Sequence, residues 1–467
     1  MSATAPQVVV GGSIASLVAA DQLARQGRAV ELHLPERGVG GGFAPLRVDG
    51  RRLELGARLI ELSYGDEPTE APPLDAYRPG PHGHRPYLAL IDRLVRELAG
   101  DDLVALSPPE ASVGGRRTGD YVLSGDLSGI ADVVDDDDLA RMGAQAATGV
   151  DREGPHGLFA TDRTDGLWAR SYDDVGRAHA GDAFHDRLLA PLADKILPEG
   201  GMSVLAALHR KIWLPLFHPV TVWEACTGRL TYRPERPMWS LRNGGMGEIV
   251  ERLIARVEAS GLVHVVRSGG LGAIGPAGGT DEVTLTLGDG STRVARRPIV
   301  GVGGDEFFAA AGVPLSARRV PATMVWLDVP DEQVVRLPSV LFVAEPELAP
   351  FRITENVADP RPGHRTICCE LDHRHDDPDQ WLTLATEALG ALGVVTAGAA
   401  VEQLAAVSRP AYLTPSAVNL ARFDGARRTY EARGLGALVV GGALAFGADT
   451  FNEQVVQGLA AAQAVSR

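Results

Sequence analysis

The first part of the chain alternates between short apolar runs and one stretch of helical periodicity. Residues 8–10 form an apolar run, and residues 11–16 form a turn that carries two glycines. Apolar side chains then recur at helical spacing along residues 17–24, and Gly27 ends this run. A second apolar strand is predicted at residues 30–34. The pattern predicts a βαβ unit, whose helix N-terminus is suited to bind the pyrophosphate of a dinucleotide.

Turn and loop signals follow this unit. Asp49-Gly50 lies between two short alternating runs and predicts a hairpin over residues 46–56. Residues 64–85 are rich in proline and glycine, and we interpret His82 and His84 as parts of a solvated loop. The later periodic segments predict helices at 88–100, within 171–216 and at 248–260, a second sheet at 321–371, and a final strand, glycine turn and helix at 438–465.

These elements predict an α/β fold in which a Rossmann-like dinucleotide-binding domain carries a helical insertion and a mixed-sheet substrate domain. The predicted divisions are residues 1–100 (first part of the dinucleotide-binding domain), 101–235 (mainly helical insertion), 236–310 (second part of the dinucleotide-binding domain), 311–430 (sheet and helix of the substrate domain) and 431–467 (closing strand and helix).

Composition narrows the classes of partner. The chain has 467 residues and a formal net charge of −15, which argues against nucleic acid or an anionic membrane surface as partner. Three cysteines and a start without a basic leader predict a cytoplasmic protein without a disulfide framework. We interpret the acidic runs at residues 135–138 and 372–377 as helix starts rather than metal sites. A small-molecule substrate is the expected partner, and a homodimer is left open.

Three segments of the sequence resemble one superfamily. They are VVVGGSIASLVAADQLARQG at residues 8–27, WSLRNGGMGEIVERL at 239–253 and LVVGGALAFGADTFNEQVVQGLAAAQAV at 438–465. Their order resembles that of the FAD-dependent amine oxidase, protoporphyrinogen oxidase and phytoene desaturase superfamily along nearly the whole chain. UDP-galactopyranose mutase shares this broad architecture. The resemblance implies a Rossmann-like FAD/NAD(P)-binding domain.

The resemblance also implies FAD as the cofactor. In the superfamily the last helix points its N-terminus at the flavin ring, where the helix dipole stabilises negative charge on the reduced ring. The positions assigned to the cofactor in this way are Gly11, Gly12, Ser13, Ile14, Ala15, Ser16, Gly41, Gly42, Leu271, Gly441, Gly442, Phe451 and Asn452.

Several positions depart from the superfamily pattern. Ser13 and Ser16 replace the second and third glycines of gly-x-gly-x-x-gly. Leu34 stands where the superfamily has a glutamate that binds the adenosine ribose, and Gly442 stands where it has an aspartate. The gly-gly-arg of the superfamily appears here as Gly40-Gly41-Gly42-Phe43, without the arginine. Two hypotheses remain: FAD is bound through backbone donors and shape, or the scaffold has lost the cofactor.

The leading functional hypothesis is a flavin-dependent, amine oxidase-like oxidoreductase acting on a small organic or biosynthetic substrate. The alternatives are a non-redox isomerase, cyclase or partner protein on the same scaffold, and a nucleotide-sugar mutase-like enzyme. Two residues are candidates for catalysis. Lys211 would orient a water beside the flavin or lie on the surface. Arg352 alternates with apolar neighbours, and would either grip an anionic substrate or face solvent.

Overall fold

The computed structural model describes residues 5–63, 70–160, 162–234, 237–242, 244–279 and 281–467, with the backbone alone at residue 412. The strands of these residues are β1 (Gln7–Val10), β2 (Val30–Leu34), β3 (Leu46–Val48), β4 (Arg51–Leu53), β5 (Ile60–Glu61), β6 (Leu103–Ala105), β7 (Glu110–Val113), β8 (Arg116–Thr118), β9 (Met238–Leu241), β10 (Val263–Arg267), β11 (Leu271–Pro276), β12 (Glu282–Leu287), β13 (Thr292–Arg296), β14 (Ile299–Val300), β15 (Arg319–Pro330), β16 (Val340–Val343), β17 (Pro350–Asn356), β18 (His364–Leu371), β19 (Glu402–Leu413) and β20 (Leu438–Val439).

Helices connect and cover these strands. They are α1 (Ile14–Arg25), α2 (Leu88–Ala99), α3 (Asp136–Glu153), α4 (Asp165–Ala169), α5 (Tyr172–Ala180), α6 (Asp182–Phe184), α7 (Ala190–Ile196), α8 (Pro219–Cys226), α9 (Gly245–Ala259), α10 (Gly304–Ala310), α11 (Trp381–Ala391), α12 (Ala417–Glu431) and α13 (Phe451–Ser466). None of the helices in the described residues is both long and apolar enough to cross a membrane.

The N-terminal βαβ unit lies at the centre of a parallel five-stranded sheet. The strand order is β10-β2-β1-β14-β20, so segments from three distant parts of the chain meet in one sheet. Val9 belongs to a hydrophobic cluster with α1, α2, α9 and α13 on one face. Val8 and Val10 pack on the opposite face with the antiparallel sheet β11-β12-β13. Both faces of β1 are buried, which explains its continuous apolar run.

A second sheet has seven strands and is mixed. Its order is β19-β15-β18-β17-β16-β7-β8, and β16 and β7 are its parallel pair. Leu341 and Ile353 face one side, where α11 covers them. Phe342 and Phe351 face the other side and pack against the helical region α3–α8. The helical region therefore rests on this sheet and adjoins the dinucleotide-binding domain.

The predicted fold class is confirmed: a Rossmann-like domain and a mixed sheet are both present. The hairpin also forms, because Asp49 and Gly50 adopt the left-handed φ of 48° and 81° that its two-residue turn needs. In the segment predicted to be mainly helical, helices begin at α3, and the preceding residues form β6, β7 and β8. These strands are too short to show a clear period in the sequence. Residues 64–69 of the predicted loop and Asn243 lie outside the described residues.

Candidate functional site

A cavity of about 750 Å³ opens at the carboxyl ends of β1, β2 and β14. Ser13 after β1, Pro35 after β2 and Gly301 after β14 all line it. The cavity extends from this edge of the sheet to the N-terminus of α13 and to Trp213 in the helical region. Open α/β sheets bind their ligands at this edge, and ligand pockets measure about 300–1,000 Å³. The cavity is therefore the candidate functional site.

The glycine turn before α1 forms the floor of the cavity. Gly11 has a φ of 110°, and a Cβ there would lie 2.2 Å from the carbonyl oxygen of Gly301, so only glycine fits. The Ser13 hydroxyl caps α1 by accepting the N–H of Ser16 at 3.1 Å. A Cβ at Gly301 would lie 2.1 Å from the Ser16 Oγ. Ser13 and Ser16, which replace two glycines of the motif, therefore occupy space that is open because Gly301, just after β14, has no side chain.

The structure divides the predicted cofactor residues into two groups. Ile14, Ala15 and Ser16 are fully buried in α1, and Leu271 packs in the core while its neighbour Gly270 lines the cavity. Gly441 has a φ of 76°, and its N–H donates to the Gln457 side chain. The predicted residues that line the cavity are Gly11, Gly12, Ser13, Gly41, Gly42, Gly442, Phe451 and Asn452.

Arg58 brings a guanidinium to the position where the superfamily arginine is missing. Its Nε and Nη2 donate to the carbonyl oxygen of Gly42 at 3.1 and 2.8 Å, and its guanidinium lies 5.7 Å from the ring centroid of Phe43. Both Arg58 and Gly42 line the cavity. The sequence motif looks for a charge at position 42 itself, so it missed a charge that reaches this position from a later loop.

Asp449 similarly lies beside the missing aspartate position. A Cβ added to Gly442 would be 3.8 Å from the Cβ of Asp449. Lys211 holds the Asp449 carboxylate through contacts of 2.7 and 2.8 Å to its two oxygens. The Asp449 side chain is 45% exposed, and the Lys211 ammonium holds the pKa of this carboxyl below its usual value. Lys211, a candidate from the sequence, thus lines the cavity as part of an ion pair.

At the end of β2, no acidic side chain among the described lining residues takes the place of the glutamate that Leu34 replaces. The Leu34 side chain is fully buried in the hydrophobic cluster around α1. Pro35, Arg37 and Gly38 follow it along the cavity wall, whereas Glu36 is exposed outside the lining. At the position of the superfamily acid this chain therefore has a buried leucine, and Arg37 is the charged residue that lines the cavity just after it.

The N-terminus of α13 faces the cavity above a buried polar cluster. Thr450 caps the helix, and Phe451 and Asn452 line the cavity. Glu453, 1% exposed, accepts hydrogen bonds from the Tyr77 hydroxyl and from the backbone N–H of His84, and contacts the His84 Nδ1 at 2.9 Å.

The interpretation of His84 as a solvated loop residue is therefore wrong. It is 6% exposed, because Glu453 on the distant C-terminal helix covers it. Burial and the Glu453 carboxylate raise the pKa of Tyr77, which keeps this hydroxyl protonated as the donor.

Arg352 lies behind the cavity wall rather than in it. It is 6% exposed and forms a bidentate pair with Glu370, with both contacts at 2.6 Å. Its guanidinium lies 4.2 Å from the ring centroid of Trp213, and Trp213 lines the cavity. If Arg352 contributes to substrate binding, as the sequence predicts, it therefore does so through Trp213.

The charge of the lining differs from that of the whole protein. The chain carries a net charge of −15, yet among the described residues that line the cavity, arginine and lysine outnumber aspartate and glutamate. The cations are Arg37, Arg58, Arg85, Arg210, Lys211 and Arg319, and the acids are Glu61, Asp305, Glu306 and Asp449. A positive surplus in a cavity of an acidic protein favours anionic ligands.

Comparisons with known proteins agree with this architecture. Residues 9–70 match the family model of the NAD(P)-binding Rossmann-like domain. Reduced UDP-galactopyranose mutase shares the fold over 99% of this chain and 96% of that chain, with 15% identity and a TM-score of 0.74. A putrescine oxidase with redesigned cofactor binding aligns over 99% of both chains, with 14% identity and a TM-score of 0.59. A CLA-producing fatty acid isomerase from P. acnes aligns over 100% of this chain and 99% of that chain, with 15% identity and a TM-score of 0.55.

No curated protein sequence matches the chain. The fold and the cavity define a Rossmann-like protein with a ligand site at the carboxyl edge of its parallel sheet and a second, mixed-sheet domain. The chain shares the fold of the reduced UDP-galactopyranose mutase and of the putrescine oxidase, so the resemblance read from the sequence motifs is confirmed as a likeness of fold.

Proposed function

We propose that the chain is an FAD-dependent oxidoreductase that acts on a small organic or biosynthetic substrate. One observation carries this proposal. For each of two cofactor-binding side chains that the sequence motif lacks, the arginine and the aspartate, a side chain of the same charge lies close by. Arg58 donates to the carbonyl of Gly42, and Asp449 lies 3.8 Å from the place that a side chain at Gly442 would occupy. Both side chains line the cavity at the places where the cofactor anchors are missing.

The residues present fit a dinucleotide of this kind. The first turn of α1 offers backbone donors to a pyrophosphate, next to the glycine turn in which Gly11 donates its own N–H to the carbonyl oxygen of His33. Arg58 adds positive charge beside Gly42. The N-terminus of α13, with Phe451 and Asn452, would meet the flavin ring, where its dipole favours negative charge.

When bound, FAD supplies acceptance of a hydride from the substrate. The protein orients the bound groups and supplies apolar surface and fixed charges. Lys211 and Asp449 place one ion pair at the junction between the helical region and the turn before α13. Ile212 and Trp213 follow Lys211 along the chain and add apolar surface to the cavity lining.

The test of this proposal is FAD affinity in paired substitutions. Arg58→Leu should weaken FAD binding by about tenfold or more, because a charge-assisted hydrogen bond is worth about 1.5–3 kcal/mol. Adding Gly42→Arg to that variant should restore binding, since a Cβ at position 42 meets nothing within 4 Å. Arg141→Leu, on the exposed surface of α3, is the matched control and should bind like the wild type.

A second pair tests the acidic anchor in the same way. Asp449→Asn should weaken FAD binding, and Asp449→Asn with Gly442→Asp should recover it, because the new carboxylate lies close to the old one. Quenching of flavin fluorescence in a titration gives both affinities. Unchanged affinity in Arg58→Leu and Asp449→Asn, in a wild-type protein that binds FAD, would contradict these roles. A wild-type protein that binds no FAD would instead favour a non-redox isomerase, cyclase or partner protein.

A nucleotide-sugar mutase-like enzyme is the second candidate. The TM-score of 0.74 to reduced UDP-galactopyranose mutase exceeds the 0.59 and 0.55 of the oxidase and the isomerase. The cationic lining would also accept the diphosphate of a nucleotide sugar. Conversion of UDP-galactopyranose only after reduction of the protein with dithionite would support this candidate. No conversion in either redox state would reject it.

A further inference from the structure

Trp213 has a backbone conformation that a bulky residue seldom adopts. It follows the 3₁₀ segment Ala206–Ile212 with φ 60° and ψ 30°, in the left-handed region, and its N–H donates to the carbonyl oxygen of Arg210 at 3.1 Å. Such strain persists where the surroundings fix a residue strongly, and it concentrates at ligand sites. Trp213 also lines the cavity, and its ring is held by buried neighbours.

The ring is fixed from behind. The Arg352 guanidinium lies 4.2 Å from the indole centroid, and Phe342 meets the indole edge-on at 6.3 Å between centroids. Glu370 clamps the guanidinium through two contacts of 2.6 Å, and both members of this pair are more than nine-tenths buried. A cation stacked on one face of an indole is attracted to its π-system and leaves the remaining surface of the ring to the cavity.

Around Trp213 the lining is apolar and is bordered by cations. The apolar residues belong to the hydrophobic cluster against which Trp213 packs, and they are Ala57, Leu59, Leu123, Ile212 and Met238. Arg210 lies next to this group, because its Nη1 and Nη2 donate to the carbonyl oxygens of Val122 and Leu123, both at 2.8 Å. Arg58 separates Ala57 from Leu59 along the chain and also lines the cavity.

We propose that this end of the cavity binds a planar anion, a conjugated or aromatic carboxylate, which stacks on Trp213 with its charge toward Arg210. The buried Arg352–Glu370 pair acts as a positioning unit that holds the indole in place. The proposal deepens the proposed function by naming a substrate class, and it rests on that function only in treating this end of the cavity as the substrate side. An amine, which the amine oxidase-like resemblance suggests, would meet cations instead of a counter-ion.

The test varies planarity and charge separately in the ligand. The probes are 2-naphthoate, 2-naphthylmethylamine and decalin-2-carboxylate, and their binding is measured by isothermal titration calorimetry with and without added FAD. The planar anion should bind at least about fivefold more tightly than either other probe, as expected when stacking and charge both contribute. Equal or tighter binding of the amine, or of the non-planar carboxylate, would overturn the proposal without any substitution.

Substitutions at the ring give the second arm. Trp213→Leu should weaken 2-naphthoate binding by about fivefold to tenfold while leaving decalin-2-carboxylate unchanged, and Trp213→Phe should retain most of the affinity for 2-naphthoate. Trp168→Leu, at an exposed tryptophan, is the matched control. Equal losses for both carboxylates in Trp213→Leu would contradict stacking. Because the probes are read by heat rather than by turnover, absence of flavin in the same samples would count against the proposed function and not against this site.

Discussion

Removing Arg352 alone measures how much its buried pair with Glu370 contributes to the stability of the fold. Arg352→Met keeps a long apolar side chain under Trp213 but takes the guanidinium away from Glu370, to which it makes two contacts of 2.6 Å. Glu370 is 2% exposed, so its carboxylate cannot regain hydration without a local rearrangement. Breaking a buried pair by removing one partner typically costs about 3–5 kcal/mol.

The expected loss of folding free energy in Arg352→Met depends on pH. Without its guanidinium partner, Glu370 can take up a proton and become neutral, which sets a cap on the electrostatic part of this loss. With an unfolded-state pKa of about 4.3 and about 1.36 kcal/mol per pH unit, the cap is about 4 kcal/mol at pH 7 and about 1 kcal/mol at pH 5. The folded variant holds its proton more tightly than the unfolded chain, so its stability falls as pH rises.

The assay is urea unfolding of the wild type, Arg352→Met, Glu370→Gln and the double variant at pH 5 and pH 7. The double variant removes both charges and should lie closer to the wild type at pH 7 than Arg352→Met does. Arg352→Met within about 1 kcal/mol of the wild type at pH 7 would refute the reasoning, since a buried carboxylate would then have lost its partner at no cost.

Two further predictions concern the framework of the cavity. Burial raises the pKa of Glu54 to about 7, although its carboxylate accepts the N–H of Met246 at 2.6 Å. Because the folded pKa lies above the unfolded one, ionisation of Glu54 lowers the stability of the wild type as pH rises. Between pH 5 and pH 8 in urea titrations, Glu54→Gln should therefore gain about 2 kcal/mol of stability relative to the wild type. Parallel pH profiles of the two proteins would contradict this. Gly301→Ala places a Cβ 2.1 Å from the Ser16 Oγ and 2.4 Å from the Ser13 Oγ, so it should lower stability by about 1–3 kcal/mol. Replacing both serines by glycine in that background should recover most of this lost stability, measured by thermal unfolding. No recovery would argue that the two serines do not occupy the space left by Gly301.

The elements predicted from the sequence are those whose signals are local. The turn before α1, the Asp49-Gly50 hairpin and the start of α3 after Asp135 each depend on residues within one or two turns of chain. β7 and β8 were missed, because strands of three or four residues carry too little period and are held by a sheet whose other strands lie far away in the sequence.

The site is harder to predict, because its charges come from positions that no motif names. Arg58 acts at Gly42 from sixteen residues away, and His84 is buried by Glu453 from the far end of the chain. Asp449 is nearer, and its position just before the cap of α13 was a usable signal. A motif compares single positions, whereas a ligand responds to charge in space, so missing motif residues alone do not show that a site is lost.

The most direct measurement is the visible spectrum and cofactor content of the purified protein. We expect flavin absorption, about one FAD released per chain on denaturation, and rebinding of added FAD by the stripped protein at the first turn of α1. A colourless protein that neither releases flavin nor quenches the fluorescence of added FAD would contradict the account.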